Sequence, residues 1–205
     1  MLDGAQYVQW YKEKAINNGT PVPSWVTNWD GTSTNWQDVI YRKAPFRDYG
    51  LSVSGGTDKL TFMFSGGFLN QEDILLNAGY DKYSARVKVD YKASKRISIG
   101  INLAPNFTVQ RLSAPEDDFS SLTGDAVLLP PIIPVYNSDG TPSDPNSFGI
   151  LSNQMVNPLT IADNYQQTHK NFFLLSNAYV EVDILKGLKF KSSLGANVAD
   201  NSYRL

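Results

Sequence analysis

The chain has 205 residues, a mean hydropathy of -0.30, a formal net charge of -2 and no cysteine. It has no apolar run long enough for a membrane-spanning helix, and the lack of cysteine excludes disulfide frameworks and thiolate metal sites. Lysine and arginine are scattered rather than clustered, so nucleic acid is not an expected partner.

All four tryptophans lie in the first 36 residues, ahead of any predicted strand: Trp10, Trp25, Trp29 and Trp36. Loop tryptophans present flat apolar faces that can stack on sugar rings or pack against a partner protein. The alternative is a small local core that holds a helix, residues 3–16, against the loop. The sequence leaves both open, and Trp25, Trp29 and Trp36 are the candidate contact residues.

Six segments alternate apolar and polar residues with the period of two that is typical of β-strands. They cover residues 49–53, 60–68, 81–92, 97–109, 172–184 and 188–198. In the third segment the odd positions from 83 to 91 are apolar or aromatic, and the even positions are charged or serine. Tyr83 and Tyr91 are separated by roughly 26 Å along this strand, a distance that could place them in two interfacial aromatic belts.

The predicted connections alternate in length. Residues 55–58, 93–95 and 186–187 form tight turns, whereas residues 70–79 form a medium loop and residues 111–168 a very long one. Outer-membrane β-barrels have short turns at one rim and longer loops at the other, so this order favours a membrane meander.

The long predicted loop contains two notable segments. Residues 128–136 are apolar but interrupted by prolines, which predicts an extended segment that packs against other residues. Glu116, Asp117 and Asp118 could help to hold a calcium ion or a hydroxyl-rich ligand, and the alternative is a solvated acidic loop. Asp117 and Asp118 therefore join the candidate contact residues.

An ordered series of motifs runs through most of the chain. It comprises LDGAQYV at 2–8, NWQDVIYRKAP at 35–45, LSVSGG at 51–56, FSGGF at 64–68, NQE at 70–72, YSARVKVD at 83–90 and IGINL at 99–103. In order and spacing these motifs resemble the first barrel region of SusC/RagA-type TonB-linked outer-membrane proteins. The segment at 2–8 resembles the family's helix shortly before this region.

This resemblance implies a nutrient importer in the outer membrane of a Gram-negative bacterium. The family has a barrel of about 22 strands with an N-terminal plug, and it is energised through TonB. A SusD-like surface lipoprotein closes over the captured substrate. The implied partners are therefore that lipoprotein, TonB, outer-membrane lipid and an oligosaccharide or peptide substrate.

The expected fold is all-β: an antiparallel up-and-down meander that forms part of a large transmembrane outer-membrane β-barrel, with a short N-terminal helix in an extracellular loop. Residues 1–45 are expected to be that loop, 46–110 four strands, 111–168 a long extracellular loop and 169–205 two more strands. The plug domain and the other strands are expected to lie outside this chain, whose first residues show no export signal.

Two other classes of protein remain as alternatives. A soluble β-sandwich carbohydrate-binding module would bury Ile97, Ile99 and Ile101 in a dry core. An enzyme such as a glycoside hydrolase would need two carboxylates aimed into one cleft, and the sequence pairs none. We therefore expect no catalytic activity, no cofactor and no metal site apart from the calcium alternative at residues 116–118, which the sequence leaves open.

Overall fold

The structure is a computed structural model that describes residues 1–113, 122–150 and 155–204. Its elements divide into two compact units: unit 1 comprises Met1–Lys43, Asp73–Ala78 and Leu112–Gln167, and unit 2 comprises Ala44–Glu72, Gly79–Arg111 and Thr168–Leu205. None of the described helices combines the length and the apolar character that crossing a membrane requires.

Unit 2 is an antiparallel sheet of six described strands, in which each strand pairs with its neighbours in the sequence. The strands are β1 (Phe46–Gly56), β2 (Leu60–Glu72), β3 (Gly79–Lys92), β4 (Ile97–Leu112), β5 (Gln167–Leu185) and β6 (Leu188–Arg204). This order is an up-and-down meander, which confirms the fold class predicted from the sequence.

Several strands extend beyond the alternating segments of the sequence. β1 begins at Phe46, and β6 continues to Arg204 through a polar run. The reason is that the ladder is held by backbone hydrogen bonds, which form whether or not the side chains alternate. Hydropathy therefore marks the central part of each strand, and backbone pairing marks its ends.

Short turns join β1 to β2, β3 to β4 and β5 to β6. The Thr57 N–H donates to the Leu60 carbonyl at 2.6 Å, and the Ser94 N–H donates to the Ile97 carbonyl at 3.2 Å. In the third turn Gly187 has a φ of 87°, a left-handed conformation that glycine adopts without steric cost. The segments of unit 1 precede β1 or connect the opposite ends of the strands.

Unit 1 contains the helices of the chain. They are α1 (Gly4–Asn17), α2 (Ser24–Thr27), α3 (Trp36–Ile40), α4 (Leu122–Leu128), a 3-10 helix (Pro145–Phe148) and α5 (Pro158–Asn164). Helix α1 begins with a capping box, in which Asp3 Oδ1 accepts from the Gln6 N–H at 2.8 Å and Gln6 Oε1 accepts from the Asp3 N–H at 3.1 Å. This reciprocal pair satisfies two backbone donors at the helix start.

The main core of unit 1 joins residues that are far apart in the sequence. Helices α3, α4 and α5 contact one another, and the buried side chains between them are Trp36, Ile40, Leu122, Ala126, Leu129, Ile133, Met155 and Ala162. A second cluster contains Val8, Val26 and Ile132. Unit 1 therefore buries an apolar core of its own.

Backbone carbonyls of the proline-rich segment hold it against the start of α3. The Thr34 hydroxyl donates to the Ile133 carbonyl at 2.7 Å, and Trp36 Nε1 donates to the Pro130 carbonyl at 3.1 Å. Ile132 and Ile133 are buried. This confirms that the apolar part of the long connection packs, as its sequence predicted.

Trp36 should be the side chain whose loss weakens unit 1 most. It is fully buried, so we expect Trp36→Ala to lower the free energy of local unfolding of unit 1 by about 3–5 kcal/mol. Trp10 is 48% exposed, so Trp10→Ala should cost less than about 1 kcal/mol. Hydrogen exchange of unit 1 peptides in the intact protein measures both values, and equal effects would contradict the assignment of Trp36 to the core.

Asp125 should make unit 1 sensitive to pH. The residue is buried in α4, and its carboxylate accepts from the Val156 N–H at 3.3 Å. Burial raises the pKa of this carboxyl above its usual range, because desolvation disfavours the charged form. A raised pKa in the folded state contributes stability below the unfolded-state pKa, and that contribution is lost as the pH rises through the folded-state pKa.

We therefore expect Asp125→Asn to stabilise unit 1 at pH 7, because the amide can keep the hydrogen bond from Val156 without carrying a charge. Its advantage over the wild type should shrink as the pH falls toward about 4. Hydrogen exchange at the two pH values tests this. A variant that is less stable than the wild type at pH 7 would show that the charged form of Asp125 is required.

Candidate functional site

The two faces of the sheet differ in chemistry, and this difference is the main functional feature of unit 2. The strands alternate in register within β1–β4 and within β5–β6. Tyr179 of β5 contacts Asp90 and Gly100 on the polar face of β3 and β4, so the two sets share their faces, and one face collects most of the apolar side chains of the six strands. Its exposed members are Tyr49, Leu51, Val53, Leu60, Phe64, Tyr83, Tyr91, Ile97, Ile99, Ile101, Leu103, Phe107, Val180, Ile184, Leu188, Phe190, Leu194 and Val198.

The described residues do not cover this apolar face. On this face Ile97, Ile99 and Ile101 of β4 are 40%, 40% and 45% exposed. The β-sandwich alternative requires these three side chains to lie in a dry core, and the structure instead leaves them at the surface. A contiguous apolar surface of this extent marks an interaction with a partner protein or a membrane.

A row of aromatic residues crosses the apolar face near the end where the strands lead into unit 1. The register pairs Tyr49 with Phe68, Phe68 with Tyr83 and Tyr83 with Phe107. The ring centroids of Phe68 and Tyr83 are 4.9 Å apart, and those of Tyr83 and Phe107 are 6.3 Å apart. Tyr83 is therefore one of four aromatic residues at the same level of the sheet.

One step farther along the strands, charged and polar side chains replace the aromatic row on the same face. Arg47 pairs with Asn70, and Asn70 pairs with Asp81. Asp81 accepts from Asn70 Nδ2 and from Arg111 Nη1, each at 2.7 Å. This polar row marks the end of the apolar band.

The apolar band has about the height of the hydrocarbon layer that a barrel wall crosses. From Phe107 to Ile97 the β4 strand advances ten residues, or roughly 33 Å at about 3.3 Å per residue. A strand tilt of about 35–45° reduces this to roughly 25 Å along the membrane normal. Tyr91 lies near the other edge, between Leu60 and Ile99.

The opposite face is polar, and at the turn end its charges form a network. Lys88 lies 3.4 Å from Asp90, and Lys189 lies 3.0 Å from Glu181 and 3.3 Å from Asp183. Each of these partly exposed ion pairs adds little stability. Their charged side chains indicate that this face of the sheet is in contact with water.

Tyr179 of β5 extends across β4 on this polar face. Its hydroxyl donates to Asp90 Oδ1 of β3 at 2.7 Å, and Lys191 Nζ lies 4.2 Å from its ring centroid. The ring passes over Gly100, where a Cβ atom would overlap Tyr179 and lie 2.7 Å from Asp90 Oδ1. Gly100 thus allows a side-chain link between two strands that are not neighbours.

The three candidate tryptophans occupy different environments. Trp36 has no exposed surface, which argues against contact with a ligand or partner, and it is buried with Leu129 and Ile133 of the long connection rather than against α1. Trp29 is half-buried and donates from Nε1 to the Thr32 carbonyl at 2.8 Å. Trp25 is also half-buried, and its ring centroid lies 4.7 Å from that of Tyr11.

The structure adds one exposed ring and leaves the acidic candidates unplaced. Trp10 lies on the surface of α1, with Lys14 Nζ 5.1 Å from its ring centroid. The helical spacing of these two residues could have indicated the pair in the sequence.

Asp117 and Asp118 lie outside the described residues, and among those described no group of three or more histidine or acidic side chains could hold a metal ion.

The similar curated proteins reported below are all TonB-dependent receptors. No family model matches the chain. The chain is 26% identical over 168 residues to TonB-dependent receptor P3 of Formosa agariphila and 27% identical over 180 residues to receptor P26 of the same organism, covering 80% and 85% of this chain. TonB-dependent receptor SusC of Bacteroides thetaiotaomicron is 26% identical over 127 residues, or 57% of this chain.

Solved structures match the fold over almost the entire chain. The RagAB peptide importer in its closed-closed state superposes with a TM-score of 0.74 at 15% identity, and a structure of the RagAB peptide transporter with a TM-score of 0.75 at 15% identity. Each match covers 99% of this chain and 26% of the solved chain. The chain spans only 16%, 17% and 11% of the lengths of receptors P3, P26 and SusC.

These matches confirm the resemblance that the sequence motifs predicted. The chain is similar in sequence to TonB-dependent receptors, SusC among them. Its antiparallel meander has the fold of a segment of such a receptor's barrel.

Gly100→Ala should break the link that Tyr179 makes across β4. The added methyl group occupies the position of the tyrosine ring, so the ring must move away from Asp90. We expect the free energy of unfolding to fall by about 1–3 kcal/mol. Gly195→Ala is the matched control on β6, because the nearest atom to its Cβ would be at an ordinary 3.5 Å. Denaturant midpoints of the folded protein compare the two variants, and equal midpoints would show that the link is dispensable.

Proposed function

We propose that this chain is a wall segment of the β-barrel of a TonB-dependent importer in the outer membrane of a Gram-negative bacterium, as its resemblance to SusC/RagA-type receptors implies. The observation that carries this proposal is the apolar band of the sheet, which faces lipid. The aromatic row lies at the membrane interface, where Tyr83 meets the headgroups. The polar face lines the wet interior.

A membrane location requires the sheet to be closed by further strands. β1 and β6 are the edges of the described sheet, and an unpaired edge in hydrocarbon leaves backbone donors and acceptors without partners. The importer is therefore a longer protein, in keeping with the relatives that this chain matches over 16–17% of their length. A plug domain belongs to that longer protein.

We assign unit 1 to the extracellular side, because long barrel loops lie there and short turns lie on the periplasmic side. There it meets the SusD-like lipoprotein and the captured oligosaccharide or peptide. Trp25, Trp29, Asp117 and Asp118 remain the proposed contact residues, and the exposed Trp10 is added to them. Peptide, rather than oligosaccharide, is the substrate class that the two similar structures support, since they are described as a peptide importer and a peptide transporter.

The importer binds and transports its substrate, and it has no catalytic residues of its own. Its energy comes through TonB, which contacts a part of the longer protein beyond this chain. The relatives are receptors by name, which supports this assignment.

The two faces of β4 provide the test by mutation. Ile101→Arg places a charge in the middle of the apolar band, where it should destabilise a barrel by about 2–4 kcal/mol. Asn102→Arg, the matched control, places the same charge on the polar face and should cost less than about 1 kcal/mol. Each variant is made in the full-length protein, and folding is followed by heat-modifiability, the change in gel migration of a closed barrel on boiling.

The wild-type protein should fractionate with outer membranes, require detergent for extraction and migrate as a compact form until it is boiled. The Ile101→Arg variant should lose most of the compact form, and the Asn102→Arg variant should keep it. A wild-type protein that is soluble and monodisperse without detergent would contradict the proposed function.

A further inference from the structure

The short turns at one end of the sheet are rich in lysine and arginine. Residues 57–59, 92–96 and 186–187 contain five cations and one acid, Asp58, although the whole chain has a net charge of -2. All five cations are exposed. We call them the cationic rim, and its members are Lys59, Lys92, Lys95, Arg96 and Lys186.

Backbone hydrogen bonds hold the three turns side by side. The Lys92 N–H donates to the Lys59 carbonyl at 2.7 Å, which joins the second turn to the first. The Asp183 N–H donates to the Arg96 carbonyl at 2.8 Å, which joins the end of β5 to the second turn. The cations therefore lie along one edge of the sheet rather than on independent loops.

The first two turns have the same geometry. The Thr57 hydroxyl accepts from the N–H groups two and three residues later at 3.3 and 3.2 Å, and the Ser94 hydroxyl accepts from the corresponding groups, each at 3.1 Å. Asp58 and Lys95 therefore occupy equivalent positions. Because the backbone and the hydroxyl group define each turn, we expect a lysine at position 58 to leave the first turn intact.

The acids of the polar face near the rim are bound to other cations. Asp90 pairs with Lys88, and Glu181 and Asp183 both pair with Lys189. No cation of the rim has an ion-pair partner among the residues that the structure describes. The rim therefore has an uncompensated positive charge.

The cations of the rim repel one another. Six strands that lie about 4.8 Å apart give the rim a width of roughly 24 Å. Five cations across this width are on average closer together than the roughly 8 Å over which physiological salt screens a charge. Bound anions would relieve this repulsion, so the rim favours a partner that offers several negative groups.

The position of the rim indicates the kind of anion. Each of its cations lies within two residues of an exposed side chain of the apolar band, namely Leu60, Tyr91, Ile97, Ile184 or Leu188. A cation at the end of an apolar band can lay its stem on hydrocarbon while its charge reaches the lipid phosphates. Turns this short keep the cations at the level of the headgroups.

We propose that the cationic rim binds the phosphate groups of anionic phospholipids in the leaflet on the turn side, the periplasmic leaflet. The inference rests on the proposed function, which places the apolar band in the outer membrane and the short turns on the periplasmic side. Clusters of about four to eight lysine and arginine residues beside a membrane-spanning segment are typical of anionic lipid binding. Anionic groups of peptidoglycan would not explain why each cation adjoins the apolar band.

Photo-crosslinking to lipid tests the proposal. The photoreactive residue p-benzoylphenylalanine replaces either Tyr91, beside the rim, or Phe107, at the other end of the band, in the full-length protein. Each protein is reconstituted in vesicles of equal parts phosphatidylglycerol and phosphatidylcholine, and lipid adducts are quantified by mass spectrometry. We expect the ratio of anionic to neutral adducts to be roughly fivefold higher at position 91 than at position 107.

The probe at position 107 is the matched control. Both probes replace an aromatic residue of the apolar band by another aromatic residue. Both leaflets of the vesicles have the same composition, so a difference between the two positions reports the protein and not the leaflet.

Charge changes supply the second readout. Lys95→Glu with Arg96→Glu should lower the adduct ratio at position 91 to that at position 107, because carboxylates repel the lipid phosphates. Lys12→Glu with Lys43→Glu makes the same change of charge in unit 1 and should leave the ratio unchanged. Asp58→Lys should raise the ratio, because it adds a cation at the position that Lys95 occupies in the second turn.

Only proteins that remain heat-modifiable are scored, so the two proposals fail separately. A protein that is not a membrane barrel overturns the proposed function. A folded barrel with equal ratios at the two positions overturns lipid binding by the rim alone, and a raised ratio that survives charge reversal overturns the role of these cations. In native cell envelopes the same probe at Ala93 should form adducts with phospholipid, and adducts only with peptidoglycan or with a protein would overturn lipid as the partner.

Discussion

The register between neighbouring strands is the constraint on which the other features of the sheet depend. Side chains alternate between faces, so a slip of one residue in any pair would move that strand's apolar set to the polar face. Phe68 pairs with Tyr49 and Tyr83, and Tyr83 pairs with Phe107, so one aromatic residue from each of four strands lies at the same level and forms the aromatic row. Arg47, Asn70 and Asp81 then meet one step beyond it, and the apolar band acquires a sharp edge.

The described part of the sheet is a single layer without a dry core, whereas unit 1 buries an apolar core of its own. Three separate stretches of the sequence combine around Trp36, Leu129 and Ile133. Two of the hydrogen bonds between these stretches, from Thr34 and Trp36, end on backbone carbonyls of the proline-rich segment. Its prolines prevent a regular helix that would use these carbonyls. The six-stranded sheet is thus held by its backbone ladders, whereas unit 1 is stabilised by burial.

The sequence predicted the repeating parts of the fold well and the single contacts poorly. Period-two alternation and short polar turns are local signals, so the strands, their order and their two faces could be predicted from them. The buried role of Trp36 depends on Pro130, which is 94 residues away, and the Tyr179 link depends on Asp90, 89 residues away. No local pattern distinguishes the buried Trp36 from the exposed Trp10, and strand ends held by backbone pairing carry no hydropathy signal.

The central claim is that the odd-numbered side chains of β4 face lipid and the even-numbered side chains face water. The most direct measurement is a spin-label scan along β4 of the full-length protein in lipid bilayers, with a single cysteine placed at each position from Ile97 to Phe107 except Gly100, in a background free of other cysteines. The account predicts that accessibility to oxygen is high at odd positions, accessibility to a water-soluble nickel reagent is high at even positions, and the two alternate through the scan. Low accessibility to both reagents at the odd positions would instead show a dry protein core there and would contradict the account.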